Sequence, residues 1–219
     1  MTNKIENKKI NKMDEEIIVV NREILFENEA LKFQGVIIDK DSVKYMMAKF
    51  EDFTTIRRGD AEVNPEWKQP IPYTIIRRGD EVFIYERLKG GGEERLHSQL
   101  SIGVGGHMND LEGTSSWEET LEFNMYRELG EELEIISSRY PEPKILGLIN
   151  DEENEVGKVH ICILTIIDLP KDAEVNVRET DTLDGYWIRI RDLKKVPLVN
   201  RLESWSQIAS LILCREEDQ

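Results

Sequence analysis

Residues 113–135 read GTSSWEETLEFNMYRELGEELEI, and the spacing of the charges in this stretch decides how the chain is read. From about Ser116 to Leu133 it predicts a helix. At about 100° per residue, Glu128, Glu131 and Glu132 fall on one face within an arc of about 100°. Met125, Tyr126, Leu129 and Leu133 group on the adjoining face, which is the one to bury. Carboxylates this close repel one another, and Glu128 and Glu132 form an i,i+4 like-charge pair. A hard divalent cation is the natural offset, because Mg²⁺ prefers carboxylate oxygens and keeps waters for a phosphate substrate. Arg127, four residues before Glu131, can pair with a carboxylate and hold its orientation. Glu119 falls in the first helical turn, where negative charge suits the helix dipole. Upstream, Gly105 and Gly106 permit a sharp exit from a strand, with a backbone carbonyl free to approach a cation.

The remainder of the 219 residues sets the context. Hydrophobic residues make up 39% and charged residues 33%, which suits a folded domain with an ionic surface. The net charge is −15, from 44 acidic against 29 basic residues, and this disfavours a nucleic-acid polymer as partner. An enzyme of this charge acting on phosphates must neutralise its substrate locally, with cationic side chains or a bound metal. Two distant cysteines, Cys162 and Cys214, argue against a disulfide framework or a zinc cluster. No apolar run approaches the roughly 18 residues of a membrane span. Residues 1–14 lack the apolar centre of a secretion signal, so the expected compartment is the cytoplasm.

Along the chain, residues 1–13 read as a loose tail and 14–65 as an N-terminal α/β extension. Strand material is expected over 16–26 and 33–38, and a helix over 41–53 with Asp41 or Ser42 as N-cap. Residues 54–72 hold Pro65, Pro70 and Pro72 and read as a long irregular connection. Residues 73–87 predict a hairpin turning at Gly79-Asp80, and 100–104 a strand running into the glycine pair. Further strands are expected at 145–149, 159–167 and 186–190, with a closing helix over 202–214 inside a C-terminal segment, 197–219. The tetrad Ile-Arg-Arg-Gly plus Asp occurs at 56–60 and 76–80; the second copy reads as a turn, and the arginines of the first are placed to meet an anion. The class is α/β (α+β), a mixed sheet packed between helices.

The segment resembles the Nudix box, G-x5-E-x7-R-E-U-x-E-E-x-G-U with U aliphatic. Gly113, Glu119, Arg127, Glu128, Leu129, Glu131, Glu132 and Ile135 stand in register, a match too dense for chance. The departure is Glu134, where the family has a glycine that ends the helix in a left-handed conformation; here the helix is expected to run on toward Ser137 or Ser138, or to end in another way. Gly105-Gly106-His107, and Trp187 followed by Asp192-Leu193, are similar to the segments that precede and close the family's core, here residues 66–196. Several short motifs, among them Phe33-Gln34-Gly35 and Arg95-Leu96-His97, resemble a bacterial subgroup known only as phosphoesterases.

The resemblance implies an α/β/α sandwich and metal-dependent hydrolysis of a phosphoanhydride bond in a small organic diphosphate, with Mg²⁺ or Mn²⁺ as cofactor. It implies Glu131 and Glu132 as metal ligands, with Glu128 sharing the metal or accepting a proton, and a backbone carbonyl at Gly106. The general base is either Glu128 or a glutamate on the loop at 151–155, namely Glu152, Glu153 or Glu155. Arg87, Arg95, His97 and His107 are candidates for the substrate's phosphates; His107 is equally suited to capping its turn. His160 reads as a core histidine, and Trp117, Tyr126, Trp187 and Trp205 as packing residues. Two other readings stand beside the hydrolase: a silent ligand-binding module, which would be expected to lose box carboxylates, and a diphosphate isomerase, for which neither cysteine is well placed. A homodimer through the extension is compatible with each.

Overall fold

A computed structural model describes residues 11–87, 99–139, 141–178, 180 and 183–217, apart from the side chains of 87, 216 and 217. Its strands are β1 (Glu16–Asn21), β2 (Gly35–Ile37), β3 (Thr54–Arg57), β4 (Trp67–Arg78), β5 (Glu81–Arg87), β6 (Leu100–Ser101), β7 (Gly103–Gly105), β8 (Leu133–Ile136), β9 (Lys144–Asn150), β10 (His160–Asp168), β11 (Glu174–Val177) and β12 (Leu183–Arg189). The helices are α1 (Arg22–Leu25), α2 (Lys40–Ala48), α3 (Arg58–Ala61), α4 (Trp117–Glu132), α5 (Glu155–Val159), α6 (Val196–Val199) and α7 (Ser204–Glu217).

The central sheet runs β12-β5-β4-β10-β9-β2, with β4 and β10 parallel and the other neighbours antiparallel. Its middle strand, β10, is a run of apolar residues buried on both faces, as parallel pairing demands. Ile161 and Ile163 pack with the extension and the start of α4, and Ile167 packs with Met125 and Leu129 farther along that helix. Cys162, Leu164 and Ile166 point the other way, onto Ala209, Ile212 and Leu213 of α7. The result is the expected sandwich of helix, mixed sheet and helix. Among the described residues no helix is long and apolar enough to cross a membrane.

Residues 14–65 are tied into this framework. β2 adds to the sheet's edge beside β9, and β1 pairs with β3 and with the first residues of β4. Phe50 stacks on Trp117 at the start of α4, with ring centroids 5.3 Å apart.

Several local expectations are corrected. The chain leaves β1 after Asn21, whose side chain caps α1 by accepting from the amides of Glu23 and Ile24, so 22–26 is not strand. The cap of α2 is Asp39, which accepts from both the amide and the hydroxyl of Ser42, and α2 ends at Ala48 in a 3₁₀ turn. Residues 54–72 are largely regular: β3, α3 and the first half of β4. Pro70 and Pro72 are tolerated inside β4 because they lie between Lys68, where pairing with β1 ends, and Tyr73, where pairing with β7 begins. The Pro72 carbonyl faces Gly105, so its ring nitrogen faces away from β10 and no rung of that ladder is lost. The expected turn at Gly79 is present, with φ of 63° at the first of two loop residues. α4 does not run on to Ser137. It stops at Glu132, Leu133 is already extended, and Glu134 pairs with Asn176 between β8 and β11. A strand residue stands where the family has glycine, so no left-handed conformation is required.

One buried ion cluster joins extension to core. Lys68, fully buried, donates to Asn150 Oδ1 (3.0 Å) and the Gly157 carbonyl (2.8 Å) and pairs with Glu152 (2.8 Å). Glu152 also takes Arg22 (2.6 Å) and Lys32 (2.9 Å). Burial pulls the Lys68 ammonium down to about 8, against the opposing pull of Glu152. Burial raises the Glu152 carboxyl, but hydrogen bonds from Arg22, Lys68 and Lys32 outweigh it and hold the group far below the usual carboxylate range. Glu152→Gln strands a buried ammonium and is expected to cost about 3–5 kcal/mol at pH 7. A depressed carboxyl stabilises above its ordinary pKa and loses that contribution as pH falls below it. Thermal melts should therefore show the gap between wild type and variant narrowing from about pH 4 downward, and a pH-independent gap would refute the assignment.

Candidate active site

The start of α4 explains two box positions. Gly113 has φ of 101°, a conformation that disfavours any side chain, and it turns the chain into the helix. Ser116 caps the helix by accepting from the Glu119 amide (3.2 Å), while the Glu119 carboxylate reaches back to the amide (2.7 Å) and hydroxyl (2.8 Å) of Ser115. These bonds hold the Glu119 carboxyl below its ordinary pKa. Both residues build the helix end; neither is brought against the carboxylates farther along it.

Those carboxylates lie at the other end. Glu128 is nearly buried, and Arg127 Nη2 meets its Oε1 at 2.7 Å. The same guanidinium reaches Glu131 Oε1 (3.0 Å) through Nη1 and donates to the His107 carbonyl (2.7 Å) through Nη2. Arg127 therefore orients two box glutamates and ties them to the loop after the glycines. Gly106 lies directly against Glu128: a Cβ at that position would overlap its carboxylate. Burial, reinforced by the charge on Glu131, raises the Glu128 pKa despite the opposing pull of Arg127. Glu131 is exposed, and Glu132 is half-buried as the last residue of α4. The structure thus gathers Glu128, Glu131, Arg127 and Gly106, with Glu132 on the same helical turn. The oxygen donors of these carboxylates are of the kind suited to a hard divalent cation.

His107 points elsewhere. Its Nε2 lies 2.8 Å from Gln69 Oε1, 3.1 Å from His160 Nε2 and 3.4 Å from Glu62. Glu62 follows α3 within the stretch read as an irregular connection, and no pattern in the sequence marks it. The hydrogen bond from His107, helped by Arg58 and the charge on the imidazoles, holds the Glu62 carboxyl down at about 2. Burial first, and then His107, lowers His160 to about 4. His160 is buried as expected, with its ring in this cluster.

The other candidates are scattered. Glu152 is held by its three cations, Glu155 pairs with Lys158, and Glu153 is exposed without a hydrogen bond or ion pair to any described residue. Arg87 ends β5 opposite Leu183, and its side chain, like Arg95 and His97, lies outside the described residues. The arginines of the first Ile-Arg-Arg-Gly-Asp copy meet carboxylates of this chain: Arg57 pairs with Asp14 and Asp60, and Arg58 with Glu62.

No protein-family model matches the chain. It is 51% identical over 203 residues to Protein YmaB of Bacillus subtilis (strain 168), a match covering 92% of this chain and 98% of that one. The crystal structure of Tm1382, described as a candidate Nudix hydrolase, matches with a TM-score of 0.73 at 28% identity, over 92% of this chain and 99% of that one. The chain belongs to the Nudix hydrolases. Within this Nudix fold the two loop glycines have separate duties. An added Cβ at Gly105 overlaps the Pro72 carbonyl, which is backbone and cannot yield, whereas at Gly106 the nearest atoms are the carboxylate of Glu128, the end of a side chain that can be displaced. Gly105→Ala is expected to destabilise the fold by about 1–3 kcal/mol. Gly106→Ala should melt near wild type yet lose hydrolytic turnover, because the Glu128 carboxylate is displaced. Parallel melting curves and rate assays decide; equal effects in the two variants would refute the distinction.

Proposed function

We propose that this chain hydrolyses a phosphoanhydride bond in a small nucleoside-diphosphate-linked or other organic diphosphate, using Mg²⁺ or Mn²⁺ held by Glu128, Glu131, Glu132 and the Gly106 carbonyl. The observation that carries this reading is the packing of the nearly buried Glu128 carboxylate against side-chain-free Gly106, next to a second box glutamate and under one orienting arginine. A divalent cation bound there supplies the positive charge that offsets these carboxylates and draws in the diphosphate. Glu128 is the first proposed proton acceptor for the attacking water, in the case where it does not itself hold the metal: Arg127 anchors Oε1, and Oε2 lies toward Gly106. Glu153 is the second proposed base, exposed in the turn after β9. Arg87, Arg95 and His97 are the proposed phosphate contacts; His107 is less suited to that role, since its imidazole is engaged with Gln69 and His160.

The alternatives fare less well. A diphosphate isomerase would require a thiol or an extra acid at a carbon centre, and both Cys162 and Cys214 are buried. A silent module does not account for a complete set of box carboxylates.

Release of the cleavage products, phosphomonoesters or pyrophosphate, should be measured by chromatography over nucleoside triphosphates, dinucleoside polyphosphates, nucleotide sugars, ADP-ribose, coenzyme A and dinucleotides, with Mg²⁺ and with Mn²⁺. Metal-dependent release is expected for one of these classes, and Glu132→Gln should reduce it at least about 100-fold with the circular dichroism unchanged. Full activity in Glu132→Gln would overturn the metal assignment. Silence across the panel, with metal and ligand binding intact by calorimetry, would support the binding module instead.

A further inference from the structure

Glu62, His107 and His160 come from three separated parts of the chain: the end of α3, the residue after Gly106 and the start of β10. Their ligand atoms converge. His107 Nε2 and His160 Nε2 are 3.1 Å apart, His107 Nε2 and Glu62 Oε1 3.4 Å, and His160 Nε2 and Glu62 Oε2 4.0 Å. Around an ion bonded at about 2.0–2.1 Å, tetrahedral ligands stand roughly 3.3–3.4 Å apart. The three side chains thus already sit near the spacing of a coordination shell.

The orientation of the rings agrees. His160 Nδ1 lies 2.7 Å from the Val156 carbonyl, which can only accept. Nδ1 therefore carries the proton in the neutral ring, and the Nε2 lone pair faces the cluster. His107 Nε2 faces three acceptors at once: Gln69 Oε1, His160 Nε2 and Glu62 Oε1. A single N–H satisfies one of them well, and Glu62 Oε1 also accepts from Arg58 Nε (3.2 Å), so with that proton on Gln69 the His160 Nε2 lone pair keeps no donor within the cluster. Gln69, wholly buried, holds its Oε1 among these acceptors.

We propose that Glu62, His107 and His160 form a second cation site, for a divalent transition ion of the Zn²⁺ class. Two imidazoles and one carboxylate suit such an ion better than Mg²⁺, for which the oxygen-only box is adapted. Three protein ligands leave a fourth position for water or a substrate oxygen. Glu62 and His107 retain 23% and 15% side-chain exposure, so an ion can enter. The site is coupled to the box through one residue: His107 follows Gly106, and its carbonyl is held by Arg127. An ion here would add positive charge beside the box glutamates, but its binding does not depend on the hydrolase reading.

The test is Zn²⁺ titration of the full, EDTA-stripped chain by calorimetry at pH 7, with Co²⁺ absorption as a spectroscopic check on nitrogen ligation. One equivalent of Zn²⁺ should bind tightly, and it should survive Glu131→Gln combined with Glu132→Gln. Glu62→Gln and His107→Asn, which preserve side-chain shape, should each weaken it at least about 100-fold while the far-ultraviolet spectrum stays that of wild type. If Zn²⁺ does not bind, if the box variant abolishes binding, or if both conservative variants retain wild-type affinity, the site is refuted. Because the readout is ion binding, a failed hydrolysis assay and a failed titration remain distinguishable.

Discussion

β4 and β10 pair in parallel over nine consecutive positions, from Gln69 opposite His160 to Arg77 opposite Asp168, and the placement of everything else follows from that register. Thr74 and Thr165 bond hydroxyl to hydroxyl at its middle (2.8 Å), and Arg77 pairs with Asp168 at its end (2.5 Å). A slip of one residue would send Ile161 and Ile163 toward α7, and Cys162 and Leu164 toward α4, exchanging both cores at once. The register also sets Gln69 beside His160 and Lys68 beneath Glu152. On its other side β4 carries β7 from Tyr73 to Ile75, which brings Gly105, and then Gly106, under α4. The contact between Gly106 and Glu128 is thus a consequence of sheet register as much as of the box.

The box was legible because its chemistry demands residue types at fixed helical spacing. Gly113, Ser116 and Glu119 start the helix through local bonds, and Arg127 meets Glu131 four residues on. All of these depend on separations within one helix, which a sequence displays directly. The strands of the core were legible for a similar reason, since β10 is a continuous apolar run and the hairpin at Gly79 requires glycine there. The end of α4 was not. Glu134 could be read only as a poor helix terminator, because its partner Asn176 lies on a strand, β11, that periodicity did not reveal.

What failed was everything decided by long-range contact. Three prolines made 54–72 look irregular, yet a strand paired mainly on one side accepts Pro70 and Pro72 without losing a rung. Glu152 looked like any loop carboxylate until Arg22, Lys32 and Lys68 were found around it. Glu62, His107 and His160 are separated by at least 45 residues, and none belongs to a local pattern. His160 was read correctly as a buried core histidine; its neighbours along the strand are apolar, and only the fold shows that its ring meets His107 and Glu62.

Charge gives these separate features one logic. The chain carries −15 overall, and the cations described around the site are already committed to carboxylates: Arg22, Lys32 and Lys68 to Glu152, Arg58 to Glu62, and Arg127 to Glu128 and Glu131. Such pairs fix geometry, but they leave little net field to attract a diphosphate. Recruiting Arg127 for substrate would release Glu128 and Glu131 from their orientation, and recruiting Lys68 would expose a buried charge. Under the proposed hydrolase reading, positive charge for the substrate comes from outside the paired set, and a metal ion on the carboxylate-rich helix face would supply it most directly. In that reading the acidity seen in the composition and the carboxylates gathered on α4 have one consequence, a site that favours a bound cation.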